Sequence, residues 1–108
     1  MKAADLPHRY NAVDILERNL ATRAGAIALI SEARTLTFAE MSTEVDRAAH
    51  ALTGLGLRRG DTVAILASDS AEWVACYFAV IKMGGIAASF NTLLTAAEYE
   101  YMLNDCGA

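Results

Sequence analysis

The sequence predicts an α/β fold: a mostly parallel sheet with helices on both faces, opening with a β-hairpin. Three observations predict it. Strand-like and helical patterns alternate at roughly 25-residue intervals, which calls for right-handed crossovers between parallel strands. The runs over residues 62–67 and 86–90 are short and almost continuously apolar, as strands covered on both faces are. Helix-start signals stand where the pattern changes, at Thr37 with Glu40 and at Thr95 with Glu98.

Residues 1–10 hold the only proline, Pro7, and show no periodicity, so they read as an irregular lead-in. Residues 11–108 read as one partial α/β domain without an internal linker or repeat. Asn11, with Asp14 three positions on, is placed to cap a helix whose Val13, Leu16 and Leu20 share a face, and Gly25 ends it. The apolar run over 26–31 and the second run over 34–37 flank Glu32-Ala33 and predict the hairpin. Thr37 and Glu40 then open a helix with a buried stripe of Phe38, Met41, Val45, Ala48, Leu52 and Leu55. Glu44, Asp46, Arg47 and His50 fall mostly off that stripe and are expected in solvent.

The stretch GLGLRRG over 54–60 has the wrong spacing for G-x-G-x-x-G and follows a helix rather than a strand, so it reads as a helix stop and a turn. After the strand over 62–67, Ser68, Asp69 and Ser70 offer caps for a helix over 73–83 that is apolar all round, which belongs inside a larger body. Gly84 and Gly85 close that helix. Glycine loops that cradle phosphate follow a strand and open a helix, and here the order is reversed. The strand over 86–90 leads to Thr95 and Glu98, which open a helix through Tyr99, Met102 and Leu103.

Composition narrows the function classes. Hydrophobic residues make up 55% and charged ones 20%, in the globular range but apolar for 108 residues, which suggests surface meant to be covered by something further. The net charge of −4 and scattered basic residues argue against nucleic acid. No apolar run is long enough to span a bilayer and no signal peptide opens the chain, so a cytoplasmic protein is expected. Cys76 and Cys106 are expected as buried free thiols.

Open α/β sheets bind ligands at the carboxyl ends of their strands, so the loops after Ala67 and Phe90 are the places to look. Ser68, Asp69, Ser70 and Glu72 are polar there, yet they are also ordinary helix caps and first-turn acids. His8 and His50 lack partners spaced for metal or triad chemistry, and Tyr77, Phe78, Tyr99 and Tyr101 sit at helical positions that suit packing. There is no zinc spacing, P-loop or nucleophile elbow, so neither a catalytic nor a metal residue is assigned.

Three stretches together resemble the start of the adenylate-forming superfamily, which includes acyl-CoA synthetases, luciferases and peptide-synthetase adenylation domains. TLTFAEM (35–41) resembles the early L-T-Y-x-E-L motif. LTGLGLRRGDTVAILASDSAEW (52–73) resembles the L-x-x-x-G-v-x-x-G-D-x-V segment, and AVIKMGGIAASFNTLLT (79–95) resembles the second core motif, with Lys82, Gly84, Asn91 and Thr95 in register. Each is weak alone, but their order and spacing make the set specific. YNAVDILERNL (10–20) and FNTLLTAAEYEYMLNDCGA (90–108) are most similar to benzoate- and hydroxybenzoate-CoA ligases.

The resemblance implies the first part of the large N-terminal domain of an AMP-forming acid-CoA ligase. In that reaction carboxylate and ATP yield acyl-adenylate and pyrophosphate, then CoA displaces AMP, with Mg²⁺ assisting. It implies a loop on the substrate and CoA side containing Asn91, Thr92 and Thr95. Many relatives carry proline and arginine where this chain has Thr92 and Leu93. The family's phosphate loop, ribose-holding acid, metal-binding acid and C-terminal-domain lysine have no match here. The segment is therefore expected to be an inactive scaffold that binds no cofactor itself, has the remainder of its own polypeptide as partner, and self-associates through an incomplete sheet edge and apolar helix faces when isolated. Two alternatives stay open: a stand-alone partner-binding or regulatory α/β module, and an adenylation domain that loads a carrier protein.

Overall fold

The computed structural model describes residues 2–5, 7 and 9–108; His8 therefore lies outside the described residues. A 3-10 turn, Ala3–Asp5, precedes α1 (Asp14–Glu17), α2 (Leu20–Arg23), β1 (Ile27–Ile30), β2 (Thr35–Thr37) and α3 (Phe38–Gly54). Then come β3 (Thr62–Ile65), α4 (Ala71–Lys82), β4 (Ile86–Ser89) and α5 (Ala96–Cys106). The described strands form two small sheets. β1 and β2 pair antiparallel, with Leu29 opposite Leu36 and Ile30 opposite Thr35. β3 and β4 pair parallel in register from Thr62 beside Ile86 to Ile65 beside Ser89.

The helix expected from Asn11 is two short helices instead. Asn19 Nδ2 donates to the Ile15 carbonyl at 3.0 Å, and the Asn19 amide turns to Leu16 at 3.2 Å. A local side-chain bond has taken the acceptor that a continuous helix needs. Asn11 does not form the expected box with Asp14: its Oδ1 accepts from the Val13 amide at 2.9 Å, and its Nδ2 donates to Ile81 O at 2.9 Å, fastening the lead-in to α4.

The capping box of α3 is complete: Thr37 Oγ1 accepts from the Glu40 amide at 3.2 Å, and Glu40 Oε1 accepts from the Thr37 amide at 3.0 Å. Those hydrogen bonds from the Thr37 backbone and then its side chain hold the Glu40 carboxyl below its ordinary pKa. Met41 and Val45 of the apolar stripe are fully buried, which stabilises by about 1.5–3 kcal/mol per side chain. Leu55 is not part of the stripe. It is 84% exposed, because α3 has ended and Gly56, at φ +99°, turns the chain away.

The core lies where α3 meets α4 and the hairpin, around Val13, Leu36, Met41, Val45, Ala75 and Ala79. The alanines of α4 let the two helices approach closely. Ser70 caps α4, its Oγ accepting from the Trp73 amide at 3.1 Å. At the other end Gly84, at φ +84°, closes the helix, and the Gly85 amide donates to Val80 O at 2.9 Å. Gly84 and Gly85 are thus a helix stop. Thr95 caps α5, accepting from the Glu98 amide at 3.3 Å, and Gly107 ends it in the left-handed region at φ +68°.

Two acids expected in solvent are tied into the fold. Arg34, at the hairpin turn, reaches Glu44 at 3.2 Å and Glu72 at 3.1 Å, joining β2, α3 and α4. These bonds, Glu44 first, push the Arg34 guanidinium further up. Lys82 meets Asp46 of α3 at 2.7 Å and Glu17 of α1 at 2.5 Å, and hydrogen bonding to Asp46 and then Glu17 raises its ammonium. Cys76 and Cys106 are free thiols but only half-buried, because α4 and α5 each leave one side uncovered. Among the described residues no helix is long and apolar enough to cross a membrane.

Candidate functional site

The parallel pairing of β3 with β4 brings the segments after Ile65 and after Ser89 to one end of the sheet. Between them lies an open cleft of about 450 Å³, lined by Ser68, Asp69, Trp73, Phe90, Asn91 and Thr92 among others. Two of the three residues expected on this side, Asn91 and Thr92, are brought to it; Thr95 is not among its lining residues.

The loop leaving β4 is held by its own hydrogen bonds. Asn91 Oδ1 accepts from the Leu93 amide at 2.9 Å, a turn that occupies the side chain locally. Tyr99 Oη donates to Asn91 O at 2.6 Å and accepts from the Leu94 amide at 3.2 Å. The Tyr99 ring stacks on Phe90 with centroids 6.5 Å apart and planes 14° apart. Thr95 Oγ1 is spent on capping α5. Thr92 and Leu93 are exposed at the loop tip, Leu93 at 88%. The loop therefore presents a small hydroxyl and an apolar side chain, with no cation to meet a phosphate.

On the β3 side the capping role prevails for Ser70, whose hydroxyl also donates to Ser68 O at 3.1 Å. Glu72 is committed to Arg34; a hydrogen bond from its own backbone amide, then the guanidinium, lowers its pKa. Ser68 and Asp69 remain exposed at the cleft. Among the described residues, no group of three His, Cys, Asp or Glu side chains is arranged to hold a metal ion. His50 is exposed on α3.

Two contributors escape a reading by pattern. Trp73 lines the cleft with its ring stacked on Tyr77, centroids 5.1 Å apart, whereas its place in an apolar run suggests plain core. Tyr99 ties the loop with its hydroxyl and is not a purely packing residue; Tyr101 does not pack in the core at all, being 71% exposed. No short-range signal marks Tyr99, because its partner Asn91 lies eight residues back, beyond a turn.

The sequence model described as "AMP-binding enzyme" matches residues 16–108. The chain is 39% identical over 109 residues to a benzoate–CoA ligase of Thauera aromatica, covering 98% of this chain and 21% of that protein. It is 35% identical over 98 residues to a 4-hydroxybenzoate–CoA/benzoate–CoA ligase of Rhodopseudomonas palustris, covering 89% of this chain and 18% of that one. Among solved structures, an anthranilate CoA ligase in complex with anthranoyl-AMP superposes with TM-score 0.94 and 54% identity, over 100% of this chain and 21% of that one. The chain thus spans about a fifth of the length of these relatives.

Proposed function

Because the chain belongs to the AMP-binding enzyme family, which its match over residues 16–108 establishes, we propose that it serves as the N-terminal scaffold of an AMP-forming acid-CoA ligase acting on an aromatic acid such as benzoate. Residues 11–108 are then part of one larger AMP-binding domain, with 1–10 leading into it. The observation that carries the proposal is the full-length superposition on the anthranilate CoA ligase at 54% identity. The benzoate-ligase relatives support the same aryl substrate class.

In such a ligase, carboxylate attack on the α-phosphorus of ATP gives acyl-adenylate and pyrophosphate, and the CoA thiol then displaces AMP. Transfer of this kind depends on positioning and on neutralising phosphate charge. The present residues supply position. Parallel strands β3 and β4, with α4 between them, hold the loop of Asn91, Thr92 and Thr95 at the strand ends, on the proposed substrate and CoA side. The loop carries no cation, so a phosphate contact by this segment is not part of the proposal. Nor is a step through Mg²⁺, for which the described residues offer no ligand group. A cytoplasmic location belongs to the same reading, in keeping with the free thiols Cys76 and Cys106.

Two experiments test it. The purified chain, incubated with ATP, CoA and benzoate, is expected to release no AMP; measurable release would end the scaffold reading. Exchanged for the matching segment of the Thauera aromatica benzoate–CoA ligase, it is expected to support benzoyl-CoA formation. A folded chimera without activity would count against the assignment to aryl-CoA ligases.

A further inference from the structure

Tyr99 makes contacts in the loop after β4 that packing alone does not require. Residues 91–94 form a turn with Thr92 and Leu93 at its centre. The Tyr99 hydroxyl reaches both ends of that turn: it donates to Asn91 O, the first carbonyl, at 2.6 Å and accepts from the Leu94 amide, the last N–H, at 3.2 Å. One side chain thereby satisfies two main-chain groups and holds two residues between them.

The surrounding bonds make this clasp stiff. The Phe90 amide donates to Ile65 O at 3.0 Å, which holds the start of the loop to β3, and the Tyr99 ring stacks on Phe90. The Tyr99 amide donates to Thr95 O at 3.1 Å in the first turn of α5. The hydroxyl is thus fixed to the sheet through its ring and to the helix through its backbone. The turn needs such support, because neither Thr92 nor Leu93 presets turn torsions as proline or glycine would. Asn91 Oδ1 steadies only the Leu93 amide, at 2.9 Å. Phe90, Asn91 and Thr92 also line the cleft at the strand ends beside Trp73, so the clasp fixes part of the cleft wall together with the turn.

We propose that Tyr99 is a positioning residue for the thiol step, its hydroxyl setting Thr92 and Leu93 against the amide-bearing arm of CoA. This role rests on the aryl-CoA ligase reading and deepens it. Which step the turn serves follows from its chemistry. The phosphates of ATP call for cations, and the turn has none. A small hydroxyl beside an apolar side chain suits instead an uncharged chain of amides and methylenes. Tyr99 acts through the turn, since its hydroxyl is already spent on two main-chain partners; holding the turn in one conformation spares the thiol substrate the cost of ordering it on binding.

The chimeric benzoate–CoA ligase containing this chain tests it, with the two half-reactions measured apart. Benzoyl-adenylate formation is followed by benzoate-dependent exchange of pyrophosphate into ATP, and thioester formation over a CoA series. Tyr99→Phe keeps the ring on Phe90 and removes only the clasp. KM for CoA is expected to rise about three- to tenfold, the worth of the hydrogen bonds lost, with smaller changes in KM for benzoate and in adenylate formation. Thr37→Ala removes the α3 cap, a destabilising change elsewhere in the fold, and should leave KM for CoA at the parent value. An unchanged KM for CoA in Tyr99→Phe, an equal loss in both half-reactions, or an equal rise in Thr37→Ala would overturn the positioning role and leave the ligase reading standing. A folded parent chimera that forms no benzoyl-CoA would overturn both.

Discussion

Replacing Gly85 by alanine should destabilise the fold although its backbone is unstrained. Gly84 and Gly85 join α4 to β4, but only Gly84 has a positive φ, +84°. Alanine at Gly84 would bear the cost of the left-handed region, about 1–2 kcal/mol. Its Cβ would also fall 2.9 Å from Arg59 Cγ, a flexible side chain that can swing away. At Gly85 the obstruction is different. A Cβ would stand 3.0 Å from Val80 Cγ1, 3.1 Å from Asp61 O and 3.2 Å from Val80 O. Val80 is fully buried, and the two carbonyls accept the bonds that start β4, from the Ile86 amide at 2.8 Å and the Gly85 amide at 2.9 Å. Relief would have to come from the backbone, so overpacking of about 1–3 kcal/mol is expected. Gly25→Ala is the control: nothing lies within 4 Å of its Cβ position and its φ is not positive, so it should be neutral or stabilising by about 0.4–1 kcal/mol. Urea unfolding followed by far-UV circular dichroism should rank Gly25→Ala above Gly84→Ala and Gly85→Ala at constant m. A Gly85→Ala variant within about 0.5 kcal/mol of Gly25→Ala would refute the close-approach argument.

Thr37→Ala removes the α3 cap and should lower stability by about 0.5–2 kcal/mol in the same titration, while Thr37→Ser should retain most of it. Lys82→Met breaks two partly exposed ion pairs and should cost about 0.2–1 kcal/mol for each. The Lys82 pKa is raised in the folded chain, so its contribution is full below the ordinary lysine range and fades as pH climbs through the raised value. The gap in unfolding midpoint between wild type and Lys82→Met should therefore be constant around neutral pH and close in strong alkali, where the ammonium is lost, or in acid strong enough to protonate the two carboxylates; a gap that closed on acidification through neutrality would contradict the pairing. Tyr99→Phe keeps the ring on Phe90 but frees Asn91 O and the Leu94 amide, at a cost of about 0.5–1.5 kcal/mol; amide hydrogen exchange should quicken at Leu94 first, and unchanged protection there would refute the tie.

Features closed within a few residues were legible from the order of the amino acids. The Thr37–Glu40 box, the Ser70 and Thr95 caps, the Gly84 stop and the hairpin around Ser31 and Arg34 all join groups no more than five positions apart, so residue type and spacing suffice to find them. The parallel pairing of β3 and β4 followed from the period of the apolar runs and the rule for crossovers. The same local logic misjudged 11–23, because it counted apolar spacing and overlooked the Asn19 side chain, whose Nδ2 competes for Ile15 O.

What only the tertiary structure decided lies farther apart in the chain. Glu44 and Asp46 look like solvated helix positions until Arg34 and Lys82 arrive from other elements. Leu55 continues an apolar stripe by count, yet no element packs where it points after Gly56. Thr92 reaches the cleft while Thr95, whose hydroxyl caps α5, does not. The physical reason is one of range. A cap or a helix stop is chosen by torsions and hydrogen bonds that neighbouring residues complete themselves, whereas burial, ion pairing and the lining of a cleft depend on which distant surface the folded chain brings alongside.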